Sequence, residues 1–316
     1  MDTKILIVAP KDDTHALVVQ KVLDTEFDIE AIIWDTSRLN GEEFLTFCPN
    51  SNSDLLYLNL SDRTIDSSHF HSIWWRRVGK LNFSKEIHDK KIVDFCAREY
   101  STLFHGAFAS LKSPVINSPH AESLANRKPY QLLIAKESGL IIPNTIISND
   151  PSRIRAFWEE NYKNCIYKTL TPASDRFLET RRLNEEDFCD FDKLRYAPII
   201  VQERIEGLDI RVNVFGQNIF ASSIKVNLQE ANTDWRLDMT SKWEEYEISM
   251  DLQLALLSFL RKLDLHYGCI DMRIQPDGRP VFLEINPAGQ FLFIEIDTGQ
   301  PLTKAFASLL LNPELK

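Results

Sequence analysis

The chain has few cysteines, and none of them is grouped. Cys48, Cys96, Cys165, Cys189 and Cys269 are scattered over 316 residues without a C-x-x-C pair or a Cys/His cluster. That argues against a zinc site and against a disulfide framework. Glycine is also scarce, at 10 residues, and no G-x-G-x-x-G follows the first strand-like run, so the dinucleotide fingerprint is missing. No apolar run approaches the roughly 20 residues that a bilayer span requires. The opening MDTKILIVAP reads as a short strand, not a signal peptide. Basic charge is in deficit: the net charge is -10, which argues against a nonspecific nucleic-acid binder and leaves room only for a local basic pocket. Internal repeats and low-complexity segments are absent. The expected setting is a reducing cytoplasm, with no membrane and no nucleic-acid partner.

What is present is ordinary globular sequence, 44% apolar and 26% charged, too long for one small core and therefore expected to form two or three lobes. Lys4–Ala9 reads as a buried parallel strand, Thr14–Leu23 as a helix and Asp28–Trp34 as a second strand, a βαβ-like opening. Further strands are expected in Ser51–Asn59 and His71–Arg76. The SIWWRRV run at Ser72–Val78 admits two readings. Arg76 and Arg77 either face a cleft and meet phosphate or carboxylate, or cap an interface on which the tryptophans pack. Glu86–Leu111 has the apolar spacing of an amphipathic helix facing a core.

Beyond Pro114 and Pro119 the chemistry-bearing residues begin. Asn126–Gly139 reads as a helix ending at Gly139, with Lys128 at its start, where ammonium and helix dipole act together on an anion. Asp150–Pro151 is an N-cap followed by a first-turn proline, and the helix should run to about Tyr162. Cys165–Leu170 is a strand carrying Lys168. Thr171–Glu179 reads as a loop, Phe177–Arg182 as a returning strand, and Asn184–Leu194 as a short acidic helix capped by Asn184. Pro198–Ile205 is a strand that ends in Gln202, Glu203 and Arg204. Asp209–Val214 is another, with Arg211 between Ile210 and Val212 and so directed away from the core side. Phe220–Val226 carries Lys225, and Arg236 follows in a polar loop. Asp251–Leu263 and Thr303–Leu311 are apolar helices.

The rest is arranged around Gly268–Gly299. Two β-like runs, Cys269–Ile274 and Pro280–Ile285, flank an Asp277–Gly278 pair, which is a hairpin signal. Glu284 and Asn286 differ by two positions and share a strand face, and the hairpin brings Asp271 beside them. Either carboxylate alone is an ordinary exposed strand residue. The set, followed by Pro287, is a hard-oxygen site suited to Mg²⁺ on nucleotide phosphates.

The order of these elements resembles the ATP-grasp fold: a lysine at a helix start, a strand lysine, a strand ending in Q-E, a D-I-R strand and finally D…E-x-N. The resemblance covers roughly residues 115–311 and implies two α+β lobes gripping ATP, with the α/β N-terminus as a pre-grasp domain. The implied division is 1–117, 118–197 and 198–316. On this resemblance Lys128, Lys168 and Lys225 contact the nucleotide, and Gln202, Glu203 and Arg204 form the linker beside adenine. Asp209 lies near the nucleoside, Arg211 and Arg236 act at the phosphates and the reacting acyl group, and Asp271, Glu284 and Asn286 hold Mg²⁺. The loop at Thr171–Arg176 departs from the pattern, since it lacks the glycine that many members use over the phosphates.

A narrower likeness lies in N-R-K-P-Y-Q-L, in W-W-R-R and in N-P-A-G-Q-F-L-F-I-E. These stretches are similar to the ATP-grasp macrocyclases that make microviridin-like graspetides. Such enzymes join an Asp or Glu side chain of a ribosomal precursor peptide to a Ser/Thr hydroxyl or a Lys amine. The likeness implies a leader-plus-core precursor as partner, with the leader docking near Phe177–Tyr196. Apolar helices of the first domain leave room for a homodimer. The alternatives are another ATP-grasp carboxylate–amine ligase, an ATP-grasp kinase and a nucleotide-binding scaffold.

Overall fold

Strict alternation explains why the first strand is apolar from Ile5 to Val8. In the computed structural model, which describes residues 4–39, 42–50, 56–79, 81, 83, 87–171, 180–225 and 241–313, β1 (Lys4–Val8) lies between two parallel partners. Ile5 and Ile7 enter one core and Leu6 and Val8 another, because successive side chains point to opposite faces. The chain continues through α1 (Thr14–Phe27), β2 (Glu30–Trp34), a small antiparallel sheet of β3 (Phe44–Phe47), β4 (Leu56–Asn59) and β5 (Thr64–Asp66), then β6 (Phe70–Trp75), α2 (Lys90–Ala109) and β7 (Val115–Ile116). The parallel sheet has the order β2-β1-β6-β7. The adjacent tryptophans of β6 divide between its faces, Trp74 joining one core and Trp75 the other.

Helix α2 departs from its expected core-facing role. Only Phe104, Ala107 and Phe108 are buried, while Ile92 and Phe95 near its start are about half exposed, at 48% and 54%. The helix meets the sheet with its C-terminal half, where Phe104 and Phe108 pack on Trp34 and Trp75.

Next come α3 (Pro119–Ala125), α4 (Lys128–Glu137), β8 (Thr145–Ser148), α5 (Pro151–Glu160), β9 (Cys165–Lys168), β10 (Arg181–Arg182) and β11 (Ile199–Glu203). Four of these strands form an antiparallel sheet, β10-β9-β11-β8. Asp150 caps α5 by accepting from the Ser152 and Arg153 amides. The helix stops at Glu160, short of the expected Tyr162, because Tyr162 and Lys163 take positive φ angles of 53° and 60°. The expected acidic helix at Asn184 is a run of 3₁₀ turns over Glu185–Tyr196, begun by an Asn184–Asp187 capping box. Its apolar content explains the form. Phe188 and Phe191, three residues apart, match the 3₁₀ period, and their rings meet at a tilt with centroids 4.6 Å apart beside Trp158. Because β11 pairs with β8 and β9, it sits with the second sheet. We therefore propose that the central lobe extends to Glu203, not to residue 197.

The third sheet is antiparallel, in the order β14-β13-β12-β15-β16. It comprises β12 (Leu208–Phe215), β13 (Asn218–Ile224), β14 (Trp243–Tyr246), β15 (Tyr267–Ile274) and β16 (Pro280–Asn286), with α6 (Met250–Lys262) before β15 and α7 (Leu292–Thr298) and α8 (Leu302–Leu311) at the end. One face packs on α3, α4 and α6. The other shares a single core with α1, α7, α8 and the first sheet. Both faces of β12 are therefore buried, so Arg211 points away from one core but not into solvent.

Polar groups fasten the first sheet to the third. Asn117, fully buried with φ 50°, donates to the Tyr267 and Pro287 carbonyls at 2.8 and 2.6 Å and accepts the His266 and Tyr267 amides at 2.9 and 3.2 Å. Removing it strands several backbone groups without water. Asn117→Ala is expected to lower unfolding free energy by about 3 kcal/mol or more, measurable by urea denaturation. Among the described residues no helix is long and apolar enough to cross a membrane.

Candidate active site

Three adjacent strands line up three charged side chains. The register pairs Arg211 on β12 with Asp271 on β15, and Asp271 with Glu284 on β16. The Asp277–Gly278 turn sets this alignment: Gly278 takes φ 86°, and its amide bonds the Gln275 carbonyl at 2.8 Å. A bulge just after Asp271 then breaks the ladder, a device that commonly re-aims side chains beside active sites. Arg211 Nη1 lies 3.4 Å from Asp271 Oδ1.

Two lysines supply the opposing charge. Lys128, the first residue of α4, donates to Glu284 Oε2 at 2.8 Å, and Lys168, the last of β9, lies 3.8 Å from the same oxygen. Lysines from two different elements thus converge on one carboxylate. Burial works against the charge of Arg211, but Asp271, Cys269 and Glu284 outweigh it and hold its pKa above the ordinary arginine value. Phe293 of α7 covers this guanidinium, its ring centroid 5.7 Å from the arginine carbon.

Asn286 is exposed at the end of β16, and its Oδ1 accepts the Ala288 amide at 3.0 Å. Among the described residues no three His, Cys, Asp or Glu side chains form a metal cluster. A divalent cation would therefore take two carboxylates and an amide oxygen, completing its shell with phosphate and water oxygens, as Mg²⁺ does. Two carboxylates and an amide oxygen form an all-oxygen donor set that fits that ion.

The remaining sequence-selected residues lie elsewhere in the cleft or outside it. Gln202 is buried in the second sheet and donates to Thr145 Oγ1 at 3.0 Å. Glu203 accepts the Asn144 amide at 3.4 Å, and Arg204 pairs with Glu206 at 2.6 Å. Lys225 is exposed just past β13. Arg236 and the glycine-free loop at 172–176 lie outside the described residues. Asp209 is committed to another partner: both its oxygens bind Arg273, at 2.8 and 2.7 Å, and Arg273 also holds the Ile205 carbonyl at 2.8 Å. This buried fork fixes the linker before β12. A signal for it existed: Asp209-Ile-Arg211 and Asp271-Met-Arg273 are reciprocal D-x-R tripeptides, and the antiparallel register gives each aspartate the other strand's arginine.

The tail after Asn286 is held by the first lobe. Gly289 passes so close to β15 that a Cβ there would meet the Cys269 side chain at 2.4 Å. Arg76, 1% exposed, donates to the Ala288 carbonyl and lies 3.5 Å from Asp13. That resolves Arg76 to the interface reading, whereas Arg77 remains exposed. His15 Nε2 accepts the Phe291 and Leu292 amides at 3.0 and 3.3 Å, so this histidine must be neutral. Burial and the neighbouring Arg76 push its pKa down to about 4. Sequence reading missed this latch because a lone histidine in a helix carries no signal of its partner.

Glu122 on α3 behaves oppositely. Burial raises its pKa to about 7 against the pull of Arg76 and Arg77, and its Oε2 has no hydrogen-bond partner among the described residues. Since the folded pKa exceeds the ordinary 4.5, the native state binds the extra proton between those values, and the resulting stability is lost as pH rises through about 7. Glu122→Gln should remove that loss, gaining on the order of 2 kcal/mol over the parent at pH 8 and little at pH 4.5. Paired urea titrations check this. His15 acts at the other end, its contribution being lost as pH falls from 6.5 toward about 4.

The fold and the site together define the class: an ATP-grasp fold with an N-terminal pre-ATP-grasp domain. Residues 4–123 match the MvdD pre-ATP grasp domain. Similar solved structures span nearly the whole chain. The RiPP-associated ATP-grasp ligase of Chryseobacterium gregarium, in complex with ADP and a leader and core peptide, is 25% identical, with TM-score 0.89 over 98% of this chain and 97% of that one. The macrocyclase MdnC of Microcystis aeruginosa, bound with precursor peptide MdnA, is 26% identical, with TM-score 0.86 over 98% and 100%. Macrocyclase MdnB of the same organism is also 26% identical, with TM-score 0.82 over 98% and 99%. Among curated proteins none matches the chain.

Proposed function

We propose that this protein is an ATP-dependent peptide ligase, a graspetide macrocyclase. It activates Asp or Glu side chains of a ribosomal precursor peptide and joins them to Ser/Thr hydroxyls or Lys amines. The observation that carries this reading is the convergence of Lys128 and Lys168 on Glu284, beside the Arg211–Asp271 pair. It is supported by the full-length likeness to ligases crystallised with leader, core or precursor peptides. On this reading the reaction runs in the cytoplasm, where ATP is supplied and the free thiols stay reduced.

A carboxylate resists direct attack because hydroxide leaves poorly. Attack of its oxygen on the γ-phosphorus of ATP gives an acylphosphate and ADP, and the hydroxyl or amine then displaces inorganic phosphate. Such phosphoryl transfer needs in-line positioning and charge neutralisation more than covalent help. When bound, Mg²⁺ supplies charge neutralisation on the phosphate oxygens, and Asp271, Glu284 and Asn286 are the residues that would hold it. Lys128 and Lys168 orient the phosphates. Arg211, desolvated under Phe293, holds the substrate carboxylate and the oxyanion that follows. Its low-dielectric setting makes that donation stronger than in water. A coupled assay tests the reading: ADP release should depend on a leader-plus-core precursor, and precursor-independent turnover would count against it.

A further inference from the structure

Helix α7 does not hold its position unaided. It has seven residues, fewer than a helix needs to persist alone. Its N-cap residue, Phe291, makes no side-chain capping bond, because a phenyl ring cannot accept the amides of the first turn. Yet this short helix carries Phe293, whose ring centroid lies 5.7 Å from the Arg211 guanidinium carbon. The Arg211 side chain is only 7% exposed, and it owes part of those dry surroundings to that ring. What fixes α7 therefore fixes the setting in which Arg211 works.

The missing acceptor comes from the first lobe. His15, in the first turn of α1, lies 276 residues before Phe291 in the chain. Its Nε2 reaches the entry of α7 and accepts the Phe291 and Leu292 amides at 3.0 and 3.3 Å. The imidazole also meets the Phe291 ring edge-on, with centroids 4.9 Å apart, and both side chains are buried. Only a neutral imidazole with its proton on Nδ1 offers Nε2 as an acceptor, so few side chains can replace this contact. The other end of α7 is tied to different elements. Asp297 accepts the Trp243 amide of β14 at 3.1 Å, and Glu295 accepts the Thr303 amide of α8 at 2.9 Å. Asn117 and Arg76 hold the Pro287 and Ala288 carbonyls before the helix begins. His15 is the tie next to Phe293 in the chain.

We propose that His15 is a positioning residue for acyl transfer: as acceptor for the first amides of α7, it holds Phe293 over Arg211. This rests on the ligase reading above. His15 acts through α7 and not on the substrate itself, so the first lobe takes part in the chemistry by setting how dry the Arg211 guanidinium is.

The test compares full-length variants with wild type. His15→Phe keeps a buried ring and loses the acceptor. His15→Gln returns an amide oxygen near the place of Nε2. Phe293→Ala removes the cover. Hydrogen exchange read by mass spectrometry follows α7 with ADP present and no peptide, and single-turnover ligation of a leader-plus-core precursor follows the chemistry. In His15→Phe, exchange at α7 should rise and ligation should slow by roughly tenfold each, as loss of a helix cap predicts, with ADP affinity within about threefold of wild type. His15→Gln should restore most of both. Adding His15→Phe to Phe293→Ala should slow ligation further by less than about twofold, because the two changes share one route to Arg211. Wild-type exchange at α7 in a folded His15→Phe overturns the proposal. So does full, independent slowing in the double variant, or a His15→Gln no better than His15→Phe. Should His15→Phe fail to fold, a folded His15→Gln that ligates roughly tenfold slower than wild type overturns it equally. A wild type that ligates nothing contradicts the ligase reading instead, and the exchange comparison, which needs no turnover, still decides whether His15 holds α7.

Discussion

Glu284→Gln is expected to lower precursor-dependent ATP turnover by about 10³-fold or more, with the circular dichroism spectrum and melting curve close to wild type. The reason lies in what converges on this carboxylate. Lys128 at 2.8 Å and Lys168 at 3.8 Å both lean on it, and Asp271 stands opposite on the next strand. Glutamine keeps the shape and removes the charge, so both lysines lose the anion that aims them and the hard-oxygen set loses half its carboxylate charge. Because Glu284 is only partly buried, at 32% side-chain exposure, the loss falls on function more than on folding. Asp271→Asn should behave alike. Normal turnover in a folded Glu284→Gln, Asp271→Asn double variant would contradict the assignment.

Arg211→Lys carries the second large effect, a loss of about 10²-fold or more in the rate of ligation with ATP affinity within a few-fold of wild type. Lysine preserves the positive charge. It cannot reproduce a planar guanidinium that meets Asp271 on one side while presenting further donors to a substrate carboxylate. A buried ammonium also sheds its proton more readily than arginine does. Single-turnover measurement separates the steps: nucleotide binding should survive while acyl transfer slows. A lysine variant within about threefold of wild type would move the oxyanion role elsewhere.

The proximity of Asp271 and Glu284 was legible because a hairpin with an Asp-Gly turn leaves little freedom of register. Lys128 was legible as a helix start, since Pro129 permits only the first turn there. What could not be read depended on partners distant in sequence. Arg76 looked as much like a phosphate ligand as an interface cap until the Ala288 carbonyl was found against it. Asp209 is locked by Arg273, and the reciprocal D-x-R tripeptides that signal the pair become readable only once β12 and β15 are known to be antiparallel neighbours. The 3₁₀ turns at Glu185–Tyr196 follow from the Phe188–Phe191 spacing, which at that length also suits an α-helix. The helix expected at Glu86–Leu111 formed, but its apolar stripe does not show which half meets the sheet. The tail from Pro287 to Gly299 made least sense alone. Its meaning lies in the contacts of Gly289, Phe291 and Phe293 with Cys269, His15 and Arg211, which span nearly the whole chain.

The central claim is that carboxylate activation ends in a bond within a peptide. Intact-mass spectrometry of a leader-plus-core precursor, incubated with the enzyme, ATP and Mg²⁺, tests it most directly. The account predicts a product lighter by one water for each ring formed, stable to phosphatase, with fragmentation tying an Asp or Glu side chain to a Ser, Thr or Lys. A product heavier by a phosphoryl group, or an unchanged precursor with ATP consumed, would contradict it.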